Sequence, residues 1–281
     1  MHDILILLRI ELKRLFKSKL FYVSLFIGLA LSVGGFIECA KPHLNITNGF
    51  NGGVETYPFS VFNSWMGMFM GLKPISTSYL YIFMLLAALP YCGFFCRDNK
   101  NQYILQYYSR MSKNKIHAAR FIATFISGGL VTMLPLLLNL CATMMFIPAL
   151  KPSGNGLFIH SGAYIMGILF CEHPLIYVLI YVLQFFIYGG SFALVSLAVS
   201  FFIDNTFLVI ISPFVTYYGL GIISTLCKSV MNIYSFNPMA LLSPATKLQD
   251  GMLFAYICEP IIICVICGII FFMKGKNNEA L

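Results

Sequence analysis

The chain has 281 residues, 59% of them hydrophobic and only 10% charged, with a formal net charge of +8 and a mean hydropathy of +0.84. A soluble domain carries about 25% charged residues, so the composition excludes an ordinary soluble protein and points to a polytopic membrane protein. The positive balance would suit nucleic acid, but the placement of the charges along the chain points to a membrane surface and to no nucleic-acid partner.

Residues 1–19 read as an amphipathic helix. At about 100° per residue, Ile4, Leu5, Leu8, Leu12, Leu15 and Phe16 share one face, and Arg9, Lys13, Arg14 and Lys17 take the other. Such a helix is expected along a membrane surface with its cations near anionic headgroups; an ordinary anchoring flank before a first span is the plainer alternative. This charged start, with no small-residue cleavage site after the apolar run that follows, argues against a cleaved secretory signal.

About twenty apolar residues cross a bilayer. Six runs qualify: 20–37, 78–96, 121–147, 175–203, 206–227 and 252–273. The third and fourth exceed a straight crossing, and tilt or a kink at Pro135 or at Gly189-Gly190 would absorb the excess. Residues 59–70, with the only tryptophan, Trp65, read as an interfacial segment. Segment 157–171 is broken by His160, Ser161 and Gly162, and segment 236–248 holds Pro238 and Pro244. Both are expected to be interfacial or re-entrant, with a seventh crossing at 157–171 left open.

The longest polar stretch, RDNKNQYILQYYSRMSKNKIHAARF, occupies 97–121 between the second and third runs. Ile104, Tyr107, Tyr108 and Met111 recur at i, i+3, i+4 and i+7, which is one face of a helix. Gln102, Gln106, Ser109, Arg110 and Lys113 fall opposite. A connection between antiparallel helices needs only a few residues, so a short amphipathic helix over 101–113 is expected to be a docking surface. A solvated basic loop is the alternative.

With six crossings, Lys and Arg orient the chain. Arg9, Lys13, Arg14, Lys17, Lys19, Arg97, Lys100, Arg110, Lys113, Lys115, Arg120, Lys274 and Lys276 fall on one side, thirteen of the eighteen. The positive-inside rule then places both termini in the cytosol.

Chemistry-bearing motifs are scarce. Cys264 and Cys267 form a CxxC, but it lies mid-span without polar escort, where cysteine serves as a small hydrophobe. No GxxxxGK[ST] is present, so no phosphate-cradling loop is expected in this chain. Glu172-His173 lacks a second group to complete an acid–base or metal constellation. Asp204 falls in a turn and Glu259 toward the outer end of the sixth span. This shortage of mid-bilayer charge counts against an ion-coupled transporter. No catalytic, cofactor or metal site is expected.

At residues 97–121 the chain resembles the permease subunit of a type-2 ABC exporter. In that family the loop after the second span reads as a polar lead-in, a short "YIL"-like helix, an "SR" pair and a basic-aromatic opening of the third span. Here these are 98–102, Tyr103-Ile104-Leu105, Ser109-Arg110 and Arg120-Phe121. The family's usual lead-in glycine is missing, with Asn99 and Asn101 near its place. A broken helix before the last span is a second shared trait, matched by 237–249, and the layout resemblance covers nearly the whole chain.

The resemblance implies an all-α fold over 1–281 as one transmembrane domain. Residues 1–19 would form the amphipathic connecting helix, 20–273 six spans with a re-entrant helix before the last, and 274–281 a cytosolic tail. It implies a bacterial plasma-membrane protein paired with a second permease, a copy or a paralogue. ATP and Mg would be bound by a separate ABC ATPase subunit, and the cargo would be amphipathic or hydrophobic, such as an antimicrobial peptide or drug. ATPase contact would fall on the 101–113 coupling helix, at Gln102, Tyr103, Ile104, Gln106, Tyr107, Tyr108, Arg110 and Lys113. The second and fifth spans would line the path through Tyr79, Phe83, Leu86, Phe207, Ile211, Phe214 and Tyr217, each of which core packing or lipid contact also explains. The competing reading is a non-transporting membrane sensor or scaffold that docks a cytosolic partner through 97–120.

Overall fold

The computed structural model describes residues 2–41, 60–100, 112–152, 165–203, 205–231, 236–244, 246 and 252–277. Over these residues the chain is all helical. The elements are α1 (His2–Phe16), α2 (Lys19–Cys39), α3 (Val61–Ser64), α4 (Pro74–Lys100), α5 (Lys113–Phe146), α6 (Gly167–Glu172), α7 (Pro174–Val199), α8 (Thr206–Met231), α9 (Pro238–Leu241) and α10 (Met252–Asn277), with a 3-10 turn at Met66–Phe69. Six of them, α2, α4, α5, α7, α8 and α10, are long and apolar enough to cross a membrane, and they coincide with the six apolar runs of the sequence. The described part of 157–171 contributes the six-residue α6, and segment 236–248 contributes α9.

Helix ends move where polar residues continue a span. α4 runs to Lys100 and α5 begins at Lys113. Residues 97–100 and 113–120, expected in the connecting loop, are helical turns instead. Neither segment contains Gly or Pro, so nothing local stops the helix. The connection shrinks to 101–112. α10 likewise continues to Asn277, so the expected tail begins as helix.

α7 is the hub of the molecule: 72% of its apolar stretch is buried, against 17% in α8 and α10. Its closest neighbour is α5, and glycines on both helices set that approach. A Cβ on Gly128 would meet the Ala193 Cβ at 2.5 Å and the Gly189 carbonyl oxygen at 2.7 Å. Between apolar helices in lipid, small residues replace the hydrophobic effect by letting backbones touch. The Thr132 hydroxyl then donates across the seam to the Phe185 carbonyl at 2.9 Å. The Gly189-Gly190 pair, a candidate kink in the sequence, is therefore a contact surface, and α7 runs through it unbroken to Val199.

Prolines inside the spans orphan a carbonyl one turn back. Pro260 does this to Tyr256 in α10, and Gln184 Nε2 of α7 donates to that carbonyl at 2.6 Å. Pro213 does it to Val209 in α8, whose carbonyl accepts from the Ser212 hydroxyl at 2.8 Å. At the end of α2, the Glu38 carboxylate accepts the first-turn amides of α4, Ile75 at 3.1 Å and Ser76 at 3.2 Å, the place where a helix has unmet donors and positive dipole.

Trp65 corrects an expectation. The indole is 1% exposed and meets Tyr181 edge-on at 5.8 Å, so it is a core residue and not an exposed interfacial anchor. The segment folds inward because its amides find partners there. Met66 N–H goes to Asn139 Oδ1 at 2.9 Å and Val61 N–H to the Pro148 carbonyl at 3.1 Å.

Candidate functional site

Leu7, Glu11 and Leu15 recur every fourth residue, which puts them on one face of α1. That face turns toward α5, where Leu7 joins Ile116 and Ala119 in a small apolar cluster. Glu11 is buried with it, at 4% exposure, beside Arg120 at 1%. Arg120 Nε donates to Glu11 Oε1 at 3.3 Å, and the Tyr91 hydroxyl donates to Oε2 at 2.8 Å. Arg14 lies 4.0 Å from the same Oε2. A buried ion pair holds only when its remaining hydrogen bonds are met, and Tyr91 meets one of them.

One carboxylate thus joins three elements: α1, α4 at Tyr91, and α5 at Arg120. The last two flank the 101–112 connection. The same opening turns of α5 reach α10 and the turn after α7 on another side. His117 meets Phe271 edge-on at 5.1 Å and Phe201 at 6.3 Å. Lys274 of α10 places its Nζ 5.1 Å over the Phe202 ring. Among the described residues the grouping is a joint between helix ends.

The sequence-derived residues divide. Arg9 and Lys13 are exposed on α1 and Lys17 just beyond its end, while Arg14 is half-buried toward Glu11. Of the expected apolar face, Leu15 is buried and Leu8 and Leu12 are half-buried, while Leu5 is 62% exposed and Phe16 46%; the stripe packed against α5 centres on Glu11. In the bilayer lipid contacts apolar side chains as readily as protein does, so hydrophobicity alone did not mark the packed face. Gln102, Tyr103, Ile104, Gln106, Tyr107, Tyr108 and Arg110 lie outside the described residues, and Lys113 is the first residue of α5. Tyr79, Phe83, Leu86 and Tyr217 are buried in the core of the single chain. There the Tyr79 hydroxyl donates to the Thr132 carbonyl at 2.5 Å and Tyr217 to Leu80 at 3.3 Å. Ile211 and Phe214 are half-buried, and Phe207 is exposed.

A second polar group escaped sequence reasoning. Glu259 Oε2 accepts from the Tyr188 hydroxyl at 2.8 Å, one turn along α7 from the Gln184 bond to Tyr256. Tyr188 stands near the middle of the 26-residue α7. Glu259, expected toward the outer end of its span, therefore has its side chain tied to the centre of another. Among the described residues, no group of three His, Cys, Asp or Glu side chains is placed to hold a metal ion.

The chain matches no family model and no curated protein sequence. What fold and site define is a class: an all-helical protein with six candidate membrane-spanning helices, the architecture of a multi-pass membrane protein. Its amphipathic first helix is held to the third span by a buried ion pair.

Proposed function

We propose that this chain is the membrane-spanning permease subunit of an ATP-driven exporter of the ABC type. It would sit in a bacterial plasma membrane with both termini cytosolic, beside a second permease and a separate ATPase that binds ATP and Mg. The observation that carries this reading is the Glu11 joint. A transport subunit driven from outside itself needs a rigid route from its docking segment to its spans. Here both roots of the 101–112 connection, Tyr91 on α4 and Arg120 on α5, share one carboxylate on α1. Movement imposed on the connection is then passed to three helices together. The resemblance of the 97–121 stretch to the exporter family's coupling loop adds the partner's identity, and the missing phosphate-cradling motif adds that ATP is hydrolysed elsewhere.

The test is reconstitution. The purified chain is expected to hydrolyse no ATP alone and to co-purify with an ABC ATPase whose turnover rises with an amphipathic peptide or drug. Saturable crosslinking of an ATP analogue to this chain without a partner would sink the proposal. Partner binding without any effect of cargo on ATP turnover would favour a sensor or scaffold.

A further inference from the structure

α10 touches the rest of the molecule chiefly along α7, and two polar bonds hold that seam. Gln184 Nε2 donates to the Tyr256 carbonyl at 2.6 Å, and the Tyr188 hydroxyl donates to Glu259 Oε2 at 2.8 Å. The first bond fills the place that Pro260 leaves empty. The second ends on a carboxyl inside the apolar stretch Met252–Lys274.

Glu259 is poorly served there for a charged group. Its Oε1 is buried without a hydrogen-bond partner, and among the described residues no lysine, arginine or histidine acts on it. The titratable groups around the Tyr188–Glu259 pair are hydroxyls, Tyr217 of α8 and Tyr256 of α10 itself. An ionised carboxylate in hydrocarbon needs a cation or several donors, and a carboxyl denied both keeps its proton instead. The neutral acid suits the geometry. Oε2, as the carbonyl oxygen, accepts from Tyr188, and the proton sits on Oε1. A neutral O–H without an acceptor costs far less than an unpaired charge.

We propose that Glu259 is a proton-binding site in the membrane interior, and that its bound proton lets α10 seat on α7. Proton and packing are then linked. Separation of the two helices that wets the carboxyl releases the proton, and loss of the proton opposes reseating. Pro260, the next residue, removes a backbone hydrogen bond from α10 at this level, so the helix is weakest where the seam would part. No ATPase is involved, so the site stands or falls apart from the exporter reading.

The experiment is infrared spectroscopy of the purified full chain in a maltoside detergent, which has no carbonyl group to mask the acid. At neutral pH the difference between wild type and Glu259→Gln should contain the carbonyl stretch of a carboxylic acid. Tyr188→Phe removes the hydrogen bond to that carbonyl and should shift the band to higher frequency. Carboxylate bands in place of the acid band overturn the proposal, as does an acid band that ignores Tyr188→Phe. If Glu259→Gln does not fold, the difference between wild type and Tyr188→Phe decides by the same two criteria. Thermal unfolding tests the link to packing. Wild type and Glu259→Gln should unfold together at acid pH, and wild type should fall progressively below as the pH is raised. The sign follows because ionised Glu259 buries an unpaired charge, whereas glutamine cannot ionise. An offset between the two that does not change with pH overturns the link.

Discussion

Replacing Glu11 by alanine would leave the Arg120 guanidinium buried beside an empty place. Breaking a buried pair from one side costs about 3–5 kcal/mol, whereas replacing both partners by apolar residues of similar volume is often nearly neutral. Glu11→Ala should therefore lower the unfolding temperature of the detergent-purified protein by several degrees, and Glu11→Leu with Arg120→Met should recover most of the loss. Additive losses in the double variant would show that the two residues are not coupled. Glycines offer a second contrast. Gly128→Ala drives a methyl toward the Gly189 carbonyl and should cost about 1–3 kcal/mol as an overpacked contact. Gly219 has open space around its missing Cβ. Gly219→Ala should be neutral or gain up to about 1 kcal/mol from helix propensity, read in the same thermal assay.

At the level of elements, the 101–112 connection is where a partner's movement would arrive. In the proposed complex, Arg110→Glu should weaken association with the ATPase, as a reversed charge on the docking segment would, measured by co-purification. Tyr108→Ala should leave the complex assembled but uncouple ATP turnover from export. Lys151→Glu, exposed on a different connection, serves as the control; Lys274 is unsuitable because its ammonium covers the Phe202 ring. Normal assembly and export in both loop variants would reduce the connection to a basic loop. The spans themselves were legible in the sequence because a run of about twenty apolar residues has one stable place to be. The joint was not: Glu11 and Arg120 stand 109 positions apart, and no periodicity links them. Glu259 misled for a related reason, since position along its own helix says nothing about where on α7 its side chain lands.

For the whole molecule the first question is topology. Single cysteines at Ser112 and Asn277 in a cysteine-free background should resist an impermeant thiol reagent in intact cells, and cysteines at Asn51 and Ser153 should react. Labelling of Asn277 from outside would mean an odd number of crossings and would break the proposed orientation.

The length of α5 has a mechanical consequence. The helix has 34 residues, about 51 Å at 1.5 Å each, well beyond the ~30 Å of bilayer hydrocarbon. Arg120, clamped to Glu11, divides it as a fulcrum divides a lever. The short arm back to Lys113 measures roughly 10 Å and the long arm forward to Pro135 roughly 22 Å. If the helix turned about the clamp, a push of about 1 Å at the connection would become about 2 Å at the depth of the proline. The stroke would then be doubled there, and the force correspondingly halved.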